Sequence, residues 1–207
     1  MENPRTVSHR TKGLEELSGL SHLIRELRYH EFSRQSIGII LVSIFCYFAD
    51  PYPTIPFQHH FAKALIILGL MTRVYASGFV LKNKELSTTG PYAFMRHPLY
   101  TGNILILVGL CGINGSPWSL MTAVIFFWFY YPPAIEYEDR KLKSLFPETW
   151  ENWASKTPAL SPKFSPNNLF KKLDLNRWSL KKSLITNYEP VIVIYVVTWL
   201  IILGNRV

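Results

Sequence analysis

The chain has 207 residues, 48% of them hydrophobic and 17% charged, with a formal net charge of +8. Charge is sparse against the roughly 25% of a typical soluble domain. The Lys and Arg flank apolar runs, which argues against nucleic acid as the partner and for a membrane surface. Cys46 and Cys111 both lie inside apolar runs and read as small buried hydrophobes, so neither a disulfide framework nor a Cys/His metal site is expected.

Residues 1–13 carry charges and no periodicity, with no expected cleavable leader. From Leu14 the apolar positions Leu14, Leu17, Leu20, Ile24 and Leu27 recur at helical spacing, predicting an amphipathic helix on the membrane or capping a bundle. Ser36–Ala49 is a continuous apolar run, shorter than the about 20 residues needed to cross a bilayer, and Asp50-Pro51-Tyr52-Pro53 ends it. The run Phe61–Leu81 is long enough, and it carries Arg73 near its middle. A charge at that depth marks a functional site or a buried pair.

The stretch Gly90-Pro91-Tyr92-Ala93-Phe94-Met95-Arg96-His97-Pro98-Leu99-Tyr100-Thr101-Gly102 follows. Its two prolines and terminal glycines rule out a continuous helix and predict a stiff, shaped loop ending where a helix begins. The apolar runs Tyr100–Ile113 and Trp118–Ile135, joined by Asn114-Gly115-Ser116-Pro117, predict a helical hairpin. In Glu136–Trp153, Leu142, Phe146, Trp150 and Trp153 share a helical face, with a break expected at Pro147. Residues 154–168 are proline-interrupted, Phe170–Leu184 is basic and amphipathic, and Val191–Leu203 is a last apolar run.

Counts of Lys and Arg set an orientation. The first 35 residues carry six, residues 82–99 three and residues 138–189 ten, while residues 50–60 and 114–117 carry none. The Arg96-His97 loop and the Glu138 region are therefore expected together on the cytosolic side. The fold expected is all-α: a polytopic membrane helical bundle of about five transmembrane helices with interfacial amphipathic helices. Its divisions are residues 1–35, a cytosolic N-terminal segment; 36–164, the membrane core; and 165–207, a basic interfacial segment with a C-terminal transmembrane helix.

The reachable polar groups on that side are His97, Arg96, Tyr92, Tyr100, Glu136, Glu138, Asp139 and Arg140. Neither a nucleophilic Ser or Cys nor a phosphate-cradling Gly loop is apparent. Aromatic rings, one His, one Arg and acidic groups facing lipid suit a cofactor with an adenosine, an amino-acid end and a positive centre.

Arg96-His97-Pro98-Leu99-Tyr100-Thr101-Gly102 resembles the R-H-P-x-Y-x-G signature of the isoprenylcysteine carboxyl methyltransferase and phospholipid methyltransferase superfamily, and Leu86–Tyr92 resembles its lead-in. Glu138-Asp139-Arg140-Lys141-Leu142, followed by Phe146, Trp150 and Trp153, is similar to its E-E-x-x-L-x-x-x-F-G-x-x-Y-x-x-Y block, with Pro158 and Pro162 after it. The resemblance spans roughly Leu65–Phe164. Asp139 stands for the second Glu, Pro147 for the Gly, Trp150 and Trp153 for Tyr, and Ala93 where a basic residue is common.

The resemblance implies an integral membrane enzyme using S-adenosylmethionine, multi-pass in a bacterial inner membrane or the endoplasmic reticulum, with a cytosolic site and no metal. By position, Tyr92, His97, Pro98, Tyr100, Gly102, Glu138 and Asp139 would bind the cofactor. Arg73 and Arg140 are candidates for the substrate side, and Glu138 joins them as a catalytic candidate. The acceptor would be a lipid or lipid-linked group, the alternatives being a phospholipid amine or a small thiol. An NADPH-dependent membrane reductase of the sterol reductase type and a non-catalytic membrane scaffold are the rival readings.

Overall fold

A computed structural model of the chain describes residues 10–49, 56–81, 83–163, 177–186 and 189–204. All regular structure among them is helical. In chain order the α-helices are α1 (Gly19–Tyr29), α2 (Glu31–Tyr47), α3 (Pro56–Ser77), α4 (Pro98–Asn114), α5 (Pro117–Leu145), α6 (Pro147–Ala154) and α7 (Glu189–Gly204). A 3₁₀ turn, Gly90–Ala93, precedes α4, and a π turn, Lys182–Thr186, precedes α7.

Proline sets several of these boundaries. Pro98, Pro117 and Pro147 open α4, α5 and α6, where a missing N–H costs nothing because the first turn has no intrahelical acceptor for it. Gly115 closes α4 at φ 72°, its N–H reaching the Cys111 carbonyl at 3.0 Å. The helix expected from Leu14 begins later, at Gly19. Gly19 sits at φ 59°, a conformation that cannot continue a right-handed helix backwards, so Leu14 and Leu17 lie ahead of it. At the junction of α1 and α2, His30 caps the second helix, its ring accepting from the Ser33 N–H at 3.2 Å. α2 therefore starts five residues before the apolar run.

The run Trp118–Ile135 and the charged block after it form one 29-residue helix, α5, despite Pro132 and Pro133. Pro133 has no N–H for the carbonyl of Phe129, four residues earlier. Arg28 of α1 supplies the donor instead, Nε to Phe129 O at 3.0 Å. The break expected at Pro147 is present, with Phe146 closing α5 and α6 starting at once.

The closest helix approach is α3 on α4, made by small residues. A Cβ on Gly69 would lie 2.7 Å from the Gly102 carbonyl, and one on Gly109 would lie 2.7 Å from the Ala62 carbonyl. Such contacts let two backbones meet where larger residues would hold them apart. The main core joins α2, α3, α4, α5 and α7 through Phe45, Ile66, Leu110, Phe126 and Val196. Cys46 and Cys111 are buried free thiols within it. A second, smaller core groups Ala76, Phe79, Tyr92 and Trp153.

The outer faces are apolar as well. Ile39 and Ile40 of α2, Leu68 and Met71 of α3, Met121 and Trp128 of α5, and Val191 and Ile194 of α7 are all exposed. Among the described residues one helix, α5, is long and apolar enough to cross a bilayer, with a mean hydropathy of 1.2 over 18 residues; α4 and α7 are shorter apolar helices.

Of the basic stretch Phe170–Leu184, residues 170–176 lie outside the described residues, as do Asp50–Pro53. The remainder packs against the end of α3. Trp178 lies on Gly78, where a Cβ would meet its ring, and the Ser183 hydroxyl bonds Ser77 Oγ at 2.6 Å and the Val74 carbonyl at 2.9 Å.

Candidate functional site

The two sequence blocks meet. The stiff loop ends at His97, whose backbone N-caps α4, and the distal part of α5, beyond the apolar residues ending at Ile135, brings Glu138 and Asp139 against its ring. His97 Nδ1 lies 3.3 Å from Glu138 Oε2, and Nε2 lies 3.1 Å from Asp139 Oδ1. His97 is 3% exposed, so carboxylates face both ring nitrogens with little water between.

Asp139 is also clasped by Arg96, through Nη2 to Oδ2 at 2.8 Å and Nε to Oδ1 at 3.3 Å. That forked geometry is the strong form of a guanidinium–carboxylate pair. Tyr100, one turn into α4, stacks on the His97 ring with centroids 5.6 Å apart and donates its hydroxyl to Glu138 Oε1 at 2.9 Å. Arg34 of α2 completes the row, with its guanidinium 5.3 Å from the Tyr100 ring and Nη1 donating to the Tyr100 hydroxyl at 3.3 Å.

Proline-bearing residues 158–163 hold the loop in shape by backbone bonding. The N–H groups of Arg96 and His97 reach the carbonyls of Pro158 and Ala159 at 2.8 and 2.9 Å, and the Lys163 N–H reaches Phe94 O at 3.0 Å. Arg96 Nη1 adds a bond to the Thr157 carbonyl at 2.8 Å, and Thr101 Oγ1 one to Leu160 O at 2.8 Å. Trp153 Nε1 donates to the Tyr92 carbonyl at 2.9 Å. Four segments thus fix the position of one imidazole.

The electrostatics follow. Burial works against a charge on His97, but its hydrogen bonds to Asp139 and Glu138 outweigh that and raise its pKa above the ordinary imidazole value. Loss of water likewise works against ionisation of Glu138, and His97 and Tyr100 more than offset it, leaving the carboxyl below its usual range. Asp139 is lowered in the same way, against its burial, by His97 and Arg96. Two carboxylates facing the ring favour the imidazolium over the neutral form. His97 then has no lone pair to take up a proton, while Glu138, with its side chain 47% exposed, keeps open surface toward a further cationic group.

The other expected site residues are placed elsewhere. Arg73 is 7% exposed and paired with Glu189 at the start of α7, Nη2 to Oε1 at 2.9 Å and Nε to Oε2 at 3.1 Å. Nη1 also reaches the Leu99 carbonyl and Asn103 Oδ1. Arg140 binds Glu136 at 3.0 Å and the backbone carbonyls of Arg10 and Lys12, so it ties the N-terminal segment to α5. Gly102 faces α3, where a Cβ would lie 2.6 Å from Arg73 Cγ and 2.9 Å from Gly69 O. Pro98 is fully buried at the first turn of α4, and Tyr92 belongs to the second core.

Arg34 and Glu189 escaped the sequence reading. Nothing in the pattern around Arg34 separates it from other interfacial arginines. Glu189 carried a usable signal, being a lone carboxylate opening an apolar run in a chain with an unmatched buried Arg.

Residues 57–149, less than half of the chain, match the phospholipid methyltransferase family. Over 96 residues the chain is 42% identical to the cobalt-zinc-cadmium resistance protein CzcN of Cupriavidus metallidurans, covering 46% of this chain and 43% of that protein. It is 40% identical over 96 residues to the nickel-cobalt-cadmium resistance protein NccN of Alcaligenes xylosoxydans xylosoxydans, covering 46% and 44%. It is 30% identical over 81 residues to protein-S-isoprenylcysteine O-methyltransferase B of Arabidopsis thaliana, covering 39% and 41%. The matches span less than half the length of these relatives. No solved structure matches. The resemblance carried by the two sequence blocks is borne out by the family match and by the methyltransferase relatives.

Proposed function

We propose that this chain, whose residues 57–149 match the phospholipid methyltransferase family, is an integral membrane methyltransferase acting with S-adenosylmethionine on a lipid or lipid-linked acceptor at the cytosolic face. One observation carries the reading: two blocks about 40 residues apart in sequence converge on His97, with Glu138 at 3.3 Å and Asp139 at 3.1 Å. The donor set fits the methyl donor. Its α-ammonium and its sulfonium are cationic, and Glu138 is an ionised carboxylate with open surface at a low-dielectric boundary. When bound, S-adenosylmethionine supplies an electrophilic methyl group on a positively charged sulfur.

The chain's own residues bind and align. Glu138 is the contact for the donor's polar end, with Asp139 beside it. His97, Tyr100 and Arg96 act as positioning residues, since each spends its polar atoms on one of the two carboxylates or on the 154–160 backbone. Gly102 and Pro98 act through the fold, by the close α3–α4 approach and the start of α4. Alignment of donor and acceptor in a site closed to water is the main contribution such a protein makes to a displacement at carbon. Where the acceptor is an amine, its proton passes to water, because Glu138 and Asp139 are held ionised by their partners.

The same reading makes α2, α3, α4, the Trp118–Ile135 part of α5, and α7 five membrane spans. Their exposed apolar faces support this, since residues such as Met71, Met121 and Ile194 belong against lipid rather than water. The Arg73–Glu189 pair supports it too, as a charge inside a bundle needs a counter-charge. The experiment is incubation of purified protein with methyl-labelled S-adenosylmethionine and a total lipid extract, read by mass spectrometry. Label in a lipid product, lost in Glu138→Gln, supports the proposal; no transfer to any lipid or lipid-linked acceptor overturns it.

A further inference from the structure

A cavity of about 490 Å³ lies on the other side of α5 from His97, between that helix and α1. Glu136 is at its edge and Glu138 bonds His97; two residues along a helix differ by about 200°, so the two sites face opposite ways. Its apolar walls are Leu17 and Ile24 on one side and Pro132 and Pro133 on the other. Its polar wall holds Arg25 and Arg28, three residues apart on one face of α1.

Among the described residues these two arginines are not spent on carboxylates. Arg25 bonds the Glu15 carbonyl through Nη1, and its buried Nε has no hydrogen-bond partner among the described residues. Arg28 gives Nε to Phe129 O and has no ion pair among the described residues. Glu136, the carboxylate on the cavity wall, is already taken by Arg140 at 3.0 Å and by the Tyr29 hydroxyl at 2.9 Å. The cavity is therefore electropositive, with spare donors over an apolar floor. It sits at Pro132-Pro133, where the apolar part of α5 gives way to charge. Leu20 and Leu23 of α1, outside the cavity lining, are 72% and 63% exposed, a separate apolar face of the same helix.

We infer that this cavity is a binding site for an anionic phospholipid, distinct from the methyl-donor site. The headgroup phosphate is taken by Arg25 and Arg28, and the upper acyl chain runs over Leu17, Ile24 and the proline pair. Basic pockets between helices on the cytosolic side are suited to such headgroups, because the phosphate gains charge-assisted bonds while the chain stays in apolar surroundings. Occupancy would fasten α1 to α5 and give the Arg25 Nε–H an acceptor.

Native mass spectrometry of the full-length protein in detergent tests this without using the methyl donor, so its result is independent of the enzymatic reading. Dioleoyl phosphatidylglycerol and dioleoyl phosphatidylcholine are added at equal concentration. Retention of the anionic lipid is expected to exceed that of the zwitterionic one by about thirtyfold, the scale set by two basic groups near a headgroup. The preference should fall toward unity in Arg25→Gln/Arg28→Gln. Arg25→Gln alone, which gives up one described bond to a backbone carbonyl, serves if the double variant does not fold, and should lose a few-fold. Equal retention of the two lipids, or a preference unchanged in these variants, overturns the inference. Displacement of the lipid by millimolar inorganic phosphate would overturn the lipid assignment and make the ligand a soluble anion.

Discussion

Arg73 is the residue on which a structural and a functional role make opposite demands. Its guanidinium forms two bonds to Glu189, at 2.9 and 3.1 Å, with Glu189 3% exposed. Arg73→Met removes the cation and leaves a buried carboxylate uncompensated, an event that costs about 3–5 kcal/mol. Against a typical total of about 5–15 kcal/mol, that is about a fifth or more of the stability of the fold. Arg73→Met/Glu189→Leu removes both charges, and such apolar replacements are close to neutral, within about 1–2 kcal/mol. Thermal unfolding in detergent, followed with and without S-adenosylhomocysteine, separates the contributions. The expected order is a large fall in melting temperature for the single variant and recovery of most of it in the double. A recovered double variant that still binds S-adenosylhomocysteine yet turns over poorly would give Arg73 a second, acceptor-side role. A single variant as stable as the wild type would refute the reasoning, since the pair would then contribute nothing.

Three further outcomes follow from the site and its supports. The raised pKa of His97 gives stability that is present below the free imidazole value and lost as pH rises through the folded value; the lowered carboxyls of Glu138 and Asp139 give stability present above their free values and lost as pH falls. Melting temperature should therefore peak between roughly pH 4.5 and 6.5, and His97→Gln should flatten the alkaline fall; an unchanged alkaline limb would contradict the imidazolium assignment. Gly102→Ala places a methyl 2.9 Å from the Gly69 carbonyl and 2.6 Å from Arg73 Cγ, so a loss of about 1–3 kcal/mol is expected in denaturant unfolding; no loss would mean the helices part easily. Tyr100→Phe deletes the donor to Glu138 Oε1 and should weaken S-adenosylhomocysteine binding by a few-fold to tenfold, about 1–1.5 kcal/mol, as read by equilibrium dialysis, whereas unaltered affinity would remove Tyr100 from the positioning set.

Much of the helix order is readable along the chain because its signals are local. Pro98, Pro117 and Pro147 announce helix starts, Gly115 a stop, and Leu20, Ile24 and Leu27 an amphipathic face. The meeting of His97 with Glu138 and Asp139 is also readable, through the spacing of two motif blocks and the short turn between two apolar runs. What periodicity does not report is the partner. Arg73 pairs with a residue 116 positions away, and a hydrophobic pattern says that a charge is buried without saying what neutralises it. Arg140, a substrate-side candidate by resemblance, bonds Glu136 and the carbonyls of Arg10 and Lys12, and adjacent positions on a helix point about 100° apart, so its partners differ from those of Asp139. Gly102 sits inside the motif, but its lack of a side chain serves the α3 contact. Arg34 has no local signature, since its role depends on where Tyr100 lies.

The central claim is that Glu138, held by His97 and Tyr100, receives the methyl donor. Isothermal titration of purified wild-type protein and of Glu138→Gln with S-adenosylhomocysteine tests it most directly. Saturable one-to-one binding by the wild type, weakened at least about tenfold in the variant by loss of a charge-assisted contact, is the expected result. No binding by a folded wild-type protein, or equal affinity in the two, would contradict it.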